Sequence, residues 1–333
     1  MGVDAQQLDG WIPIRLYWNE QGPLVDWCWI GSRRFTEPFF NQTINECLQL
    51  PFSSLFRPQT TIETLAERYA LEPGPLPAGL IFHMSRSGST LVSRMLAALQ
   101  GSVVISEAGP IDSVLRARFR DASLSDETRA EWLKWIVSAL GLATSQSERR
   151  LFIKFDSWGI FDLELVRAAF PNVPWIFLYR NPLDVLASQL NQRGAHMVPG
   201  AIEPELFGFT LDEVFEMQPE DYCARVLARI CDRALQHHKT LGGLLINYNQ
   251  LPDAVWTSIS DHFGIVSSAS ERDAQQIATR FDAKNQALPF EPNSRPGRKP
   301  PNEAARYASE QWLEPAYGKL EAARLNSGKD LRR

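Results

Sequence analysis

One run of residues constrains this chain more than any other. The apolar stretch Gly79 to Met84 runs straight into Ser85-Arg86-Ser87-Gly88-Ser89-Thr90, and Leu91-Val92-Ser93-Arg94-Met95-Leu96 follows at once. The first part predicts a buried strand and the last part a helix. A strand that feeds a helix through a loop of small residues points several backbone N–H groups at one spot. The positive end of the helix adds to the field there. Gly88 permits close approach of a ligand to the backbone, Ser87, Ser89 and Thr90 offer hydroxyl donors, and Arg86 brings a full positive charge. A helix start needs one capping hydroxyl. Three hydroxyl residues in the run Ser87 to Thr90, with Ser85, a glycine and an arginine beside them, exceed that need and suit an anion such as phosphate. The triphosphate-binding signature GxxxxGK[ST] is absent: Ser89 follows Gly88, and the cation precedes it.

The surrounding pattern predicts an α/β fold of the P-loop type, three layers with a central parallel sheet and helices on both faces. Strands are expected at Gly79 to Met84, Val103 to Ser106, Leu151 to Phe155, Trp175 to Tyr179 and Leu244 to Tyr248. Helices are expected at Thr90 to Leu99, Asp126 to Leu142, Phe161 to Phe170, Leu183 to Gly194 and Glu220 to Leu241. Short, nearly continuous apolar strands between amphipathic helices require cover on both faces. Ligands in such sheets bind beyond the carboxyl ends of the strands, so residues that immediately follow strands matter most. Before this region lie a hairpin (Trp11 to Trp18 and Leu24 to Ile30) and short helices at Phe39 to Leu50 and Thr61 to Tyr69. Glu72-Pro73-Gly74-Pro75-Leu76-Pro77 interrupts regular structure, because proline removes donors and fixes φ. Two parts are expected: a small N-terminal module over 1–72 and a larger α/β domain over 78–333.

A second loop follows the strand Trp175 to Tyr179: Arg180-Asn181-Pro182-Leu183-Asp184-Val185-Leu186-Ala187-Ser188. Pro182 suits the first turn of a helix, Arg180 stands at the strand's end, and Ser188 lies about two turns on at 3.6 residues per turn. Such a pair suits a second, separate phosphate. Taken together, Ser-Arg-Ser-Gly-Ser-Thr after one strand and Tyr-Arg-Asn-Pro-x-Asp-Val-x-x-Ser after a later one resemble the family of sulfotransferases that use 3′-phosphoadenosine 5′-phosphosulfate (PAPS). The likeness spans about residues 79 to 190. It implies that Arg86, Ser87, Gly88, Ser89 and Thr90 hold the 5′-phosphosulfate end of PAPS, and that Arg180 and Ser188 hold its 3′-phosphate.

Glu107, which ends the second strand of the sheet, occupies a position similar to that of the catalytic Glu in tyrosylprotein sulfotransferases; a Glu opening the next helix would also be at home there. Lys154 interrupts an otherwise apolar strand, an expensive place unless it is paired or faces a ligand. It resembles a lysine that contacts the transferring group in those enzymes, and a salt bridge to Asp156 or Glu107 is the alternative. Tyr248 in Leu244-Leu245-Ile246-Asn247-Tyr248 matches a family tyrosine beside the adenine, although Asn249 replaces the usual acidic residue. In Ser294-Arg295-Pro296-Gly297-Arg298-Lys299, Arg298 and Lys299 are candidates for a late basic loop over the 3′-phosphate. The resemblance thus implies transfer of a sulfuryl group from PAPS to a hydroxyl or amine, an EC 2.8.2-type reaction with Glu107 as base and Arg86 and Lys154 stabilising charge. A nucleotide-kinase-type phosphotransferase and a non-catalytic scaffold are the rival readings.

Composition narrows the partners. A formal net charge of −5 over 333 residues argues against a surface built to coat nucleic acid or anionic membrane. No apolar run approaches the roughly 20 residues that span a bilayer, and a cytoplasmic protein is expected. Cys28, Cys47, Cys223 and Cys231 form no CxxC pair. Cys223 and Cys231 share a predicted helix with His237 and His238, but the spacing fits no zinc template, so no metal is expected. His83 reads as a core residue, and His237-His238 as a solvated helix turn. The partner is expected to be a small-molecule or peptide acceptor, with variable loops at Val198 to Glu216, the N-terminal module and Trp158 as candidates to receive it.

Overall fold

A computed structural model describes residues 4–20, 22–142, 150–281 and 300–330. The N-terminal residues form an antiparallel sheet of β1 (Trp11–Asn19), β2 (Gly22–Trp29) and β3 (Gln59–Thr61) in the order β1-β2-β3. The β1–β2 register runs from Trp11 opposite Trp29 to Asn19 opposite Gly22 and shifts between Pro13 and Arg15. Proline has no N–H to give the ladder, and a bulge is where a strand tolerates it. Trp27 is fully buried and donates its indole N–H to Thr60 Oγ1 at 2.9 Å, which ties β2 to β3.

The second sheet has five parallel strands, as the apolar runs lead one to expect: β4 (Pro77–His83), β5 (Ser102–Ser106), β6 (Arg150–Lys154), β7 (Trp175–Tyr179) and β8 (Leu244–Asn247). Their order is β5-β6-β4-β7-β8. Parallel neighbours require crossovers. Helices Ser89–Ala97, Asp126–Leu142, Leu163–Ala169, Pro182–Asn191 and Pro219–Leu241 fall between the strands and flank the sheet, an α/β fold with a central parallel sheet. β5 and β7 are buried along their whole length, which is why these strands read as unbroken apolar runs rather than alternating ones.

By their contacts the residues group into two compact units, and the division falls inside β4. The first comprises Met1–Leu80, Ser93–Pro174 and Ser267–Ala278; the second comprises Ile81–Val92, Trp175–Val266 and Thr279–Arg333. In the first unit, helix Glu63–Leu71 packs on helix Asp126–Leu142, and β1 packs on helix Gly109–Leu115. The proline-rich segment lies against helix Asp126–Leu142: Gly74 N–H donates to Ser138 Oγ at 2.6 Å, and a Cβ at Gly74 would stand 2.2 Å from the Ser138 carbonyl oxygen. In the second unit, the C-terminal helix Glu314–Asp330 packs on helix Pro219–Leu241 and on β8.

Several expectations need adjustment. The helix expected from Phe161 starts at Leu163 after a 3-10 turn over Ser157–Asp162. The one expected to reach Gly194 ends at Asn191. His237-His238 is no solvated turn: His237 is fully buried, and the His238 ring pairs with the Gly243 carbonyl at 3.0 Å and Ser327 Oγ at 3.2 Å. Helix Pro219–Leu241 is amphipathic, and position 237 falls on its apolar stripe with Ile230 and Ala234.

Candidate active site

The second unit contains the loop. β4 ends at His83, and helix Ser89–Ala97 begins six residues later. Leu91 and Val92 donate to the Gly88 carbonyl at 3.0 and 3.2 Å, which makes Gly88 the residue that opens the helix. The first N–H groups of a helix have no partner within it, so those of Ser89 and Thr90 are available to a ligand. Ser87 is fully buried, and its hydroxyl has no hydrogen-bond partner among the described residues. An unpaired buried hydroxyl is costly, and a ligand oxygen would relieve that cost.

Two features fix the shape of the loop. Gly88 has φ +87°, and a Cβ there would stand 2.9 Å from the Tyr248 ring and 2.8 Å from Leu251 Cδ1. Only glycine satisfies both the conformation and the contact. Arg86 has φ +64°, one of two positive-φ residues other than glycine among the described residues. Such a conformation costs about 1–2 kcal/mol and persists where surrounding contacts impose it. Here the Arg86 guanidinium donates to the Gln192 carbonyl at 2.8 Å.

Arg180 and Tyr248 stand beside this loop. The ring that meets Gly88 also carries the Arg180 guanidinium, 4.2 Å above its centroid. One aromatic ring therefore touches both the Ser85–Thr90 loop and Arg180. Arg180 donates to Asp184 Oδ2 at 2.9 Å, a pair whose side chains are 20% and 47% exposed, so the carboxylate is the more accessible partner. Asn181 caps helix Pro182–Asn191 by accepting from the Asp184 N–H. Ser188 is half-buried one turn beyond Asp184, on the same face. Arg298 and Lys299 lie outside the described residues.

Glu107 and Lys154 meet in the first unit. β5 and β6 pair in parallel register up to Ser106 opposite Lys154, and Glu107 N–H extends the ladder to the Lys154 carbonyl at 2.7 Å. Glu107 then turns with φ +55°; it is the other non-glycine residue with positive φ. Its carboxylate lies 2.9 Å from Lys154 Nζ, whose side chain is fully buried and sits 4.7 Å over the Phe39 ring. Of the two salt bridges open to Lys154, the one to Glu107 forms. Phe39 comes from the N-terminal residues, which thereby supply a wall to this pair.

Two further carboxyls complete this cluster. Asp112 accepts from the Trp158 indole N–H at 2.6 Å and from Arg116 at 2.6 and 2.9 Å. Asp156 follows β6. Burial first, then the carboxylates of Glu107 and Asp112, push its carboxyl well above the usual range, while Lys154 and Arg116 pull the other way. A cavity of about 10 Å³, the size of one water molecule, opens among Asp112, Lys154, Asp156 and Gly159. Sequence reasoning named Glu107 and Lys154 but neither Phe39 nor Asp112. Phe39 belongs to a distant stretch of chain. Asp112 reads as an ordinary helix residue four before Arg116.

Among the described residues no helix is long and apolar enough to cross a membrane, and no group of three or more His, Cys, Asp or Glu is placed to hold a metal ion. All four cysteines are buried and unpaired. No family model matches the chain, and no curated protein matches it. Among solved structures it is similar to the sulfotransferase domain of the Synechococcus PCC 7002 olefin synthase, at 18% identity over 72% of this chain and 95% of that one, with a TM-score of 0.38. It is also similar to a sulfotransferase from Alicyclobacillus acidocaldarius, at 14% identity over 75% and 96% with a TM-score of 0.43. For sulfotransferase STF9 from Mycobacterium avium the figures are 13%, 64%, 71% and 0.44.

Proposed function

We propose that this chain transfers a sulfuryl group from PAPS to a hydroxyl or amine acceptor. The observation that carries the reading is the Tyr248 ring, which touches Gly88 of the anion loop and lies under Arg180. A nucleotide with phosphates on both its 5′ and 3′ positions needs two anion-binding points with an aromatic surface between them. A triphosphate would instead need its charge neutralised at one point, by a lysine and a metal ion.

In this mechanism the acceptor's oxygen or nitrogen attacks sulfur in line. The new bond to sulfur forms as the bond from sulfur to the bridging phosphate oxygen breaks, and adenosine 3′,5′-bisphosphate leaves with the electron pair. Glu107 takes the acceptor's proton. The loop N–H groups, Arg86 and the hydroxyls of Ser87, Ser89 and Thr90 bear the charge that grows on the departing phosphate. Arg180 trades Asp184 for the 3′-phosphate, helped by Ser188, and Tyr248 lies along the adenine. By the family resemblance, Lys154 has the part of stabilising charge on the sulfuryl group.

The test supplies donor labelled in its sulfur, together with a crude metabolite extract as the source of acceptors. Labelled product should form with the wild type. Glu107→Ala should lower turnover about 10²- to 10⁴-fold, the usual worth of a general base, while affinity for adenosine 3′,5′-bisphosphate stays within a few-fold. Unchanged turnover in Glu107→Ala and Arg86→Ala would contradict the reading.

A further inference from the structure

Ser85, at the head of the anion loop, has its hydroxyl engaged within the protein. It is 9% exposed, and its hydroxyl accepts from Gln189 Nε2 at 2.5 Å and pairs with His196 Nε2 at 3.2 Å. Gln189 and His196 are 1% and 3% exposed. Gln189 is the next residue after Ser188 on helix Pro182–Asn191, and its Oε1 accepts the Gly194 N–H at 2.9 Å. The His196 carbonyl accepts from Tyr222 Oη at 3.3 Å. A Cβ on Gly194 would press on the His196 ring at 3.1 Å, so the strand of chain from Gln192 to His196 is seated tightly on this group. The same segment receives the Arg86 guanidinium at the Gln192 carbonyl.

Burying a serine, a glutamine and a histidine together is worthwhile only when all are hydrogen-bonded, and apolar side chains would pack the space more cheaply. This group does something packing alone would not: it ties the anion loop to the helix that carries Ser188 and is preceded by Arg180. Resting on the sulfuryl-transfer reading above, we propose that Ser85, Gln189 and His196 are positioning residues that set the spacing between the two anion points, and so select a 3′,5′-bisphosphorylated nucleotide over a 5′-monophosphate. None of the three touches the nucleotide. They act through the loop and through helix Pro182–Asn191, whose end is in turn fastened to Gly194. A second phosphate adds affinity only if both pockets can be filled at once, the condition that governs any two-point ligand.

Calorimetry on the full chain tests this, with adenosine 3′,5′-bisphosphate and adenosine 5′-monophosphate as probes. The ratio of their affinities is the readout, because a loss of folding stability lowers the active fraction for both and leaves the ratio alone. Ser85→Ala, Gln189→Met and His196→Ala should each reduce the ratio about 5- to 10-fold, the worth of one to two hydrogen bonds, with monophosphate affinity changed less than about 3-fold. His196→Gln, which returns a polar nitrogen near the position of Nε2, should restore most of the ratio. Ser85→Ala is the mildest change and decides the question where a larger one unfolds the chain. Variants that keep the wild-type ratio and lose only thermal stability overturn the proposal and leave sulfuryl transfer standing. A wild type that binds neither nucleotide overturns the sulfuryl-transfer reading, and this one with it.

Discussion

Arg86 and Glu107 share an uncommon property: both hold a positive φ without being glycine. Strain of this kind persists where contacts impose it and gathers at functional positions. Both residues were also singled out in the sequence, by an argument that never considered their conformation. Gly88 makes the sharpest prediction at this scale. With φ +87° and the Tyr248 ring 2.9 Å from its missing Cβ, Gly88→Ala should abolish detectable binding of adenosine 3′,5′-bisphosphate in calorimetry while the chain stays folded by circular dichroism. Asp184 gives the opposite sign. It holds Arg180 at 2.9 Å and competes with any anion there, so Asp184→Asn should tighten bisphosphate binding by about 3-fold or more, in line with the worth of a partly exposed ion pair. Weaker binding in that variant would mean that Asp184 orients Arg180 instead.

At the scale of elements, the ends of β7 and β8 are held by the C-terminal helix. Glu321 accepts from Tyr179 Oη, from Asn247 Nδ2 at 3.0 Å and from Arg324 at 2.9 and 3.1 Å, and Asn247 also reaches Tyr317 Oη at 2.9 Å. Tyr179 and Asn247 immediately precede Arg180 and Tyr248, so the helix Glu314–Asp330 braces both. Burial alone would raise the Glu321 carboxyl; the hydrogen bonds from Arg324, Tyr179 and Asn247 outweigh it and hold it down at about 2. Its ordinary value is 4.5. Between these two values the unfolded chain binds the extra proton, so stability rises with pH. The stabilisation from Glu321 is therefore complete above about pH 5 and fades as the pH falls toward 2. Melting curves should show wild type above Glu321→Gln at pH 7, with the gap closing as the pH falls toward 2. A gap independent of pH would contradict this. The sequence shows none of this bracing, because its hydrogen-bonded members lie up to 142 positions apart and no periodicity joins them. What it does show are the strands of the five-stranded sheet: each is a mostly apolar, mostly buried run, and such runs need no long-range information to be recognised.

At the scale of the whole molecule, the order β5-β6-β4-β7-β8 makes β4 the central strand, and the loop after it is the one the sequence marked first. The fold class was legible because strand and helix periodicities are local. Half of the candidate site was legible too, since Ser85 to Thr90, Arg180 and Tyr248 each follow a strand. The partners of these residues were not. Gln189 and His196 carry no motif; in the other unit, Phe39 reaches Lys154 from a distant stretch of chain, and the sequence leaves Glu107 and Asp156 both open as partners of Lys154. The central claim is that two anion points, and not a triphosphate cradle, define the ligand. Thermal unfolding with saturating adenosine 3′,5′-bisphosphate, set beside the same scan with Mg-ATP, tests it directly. A ligand at 100 times its Kd stabilises by about 2.7 kcal/mol, a shift of a few degrees for a chain of this size. The bisphosphate should raise the midpoint by that amount, Mg-ATP should not, and Arg180→Ala should erase the rise. Stabilisation by Mg-ATP alone would contradict the account.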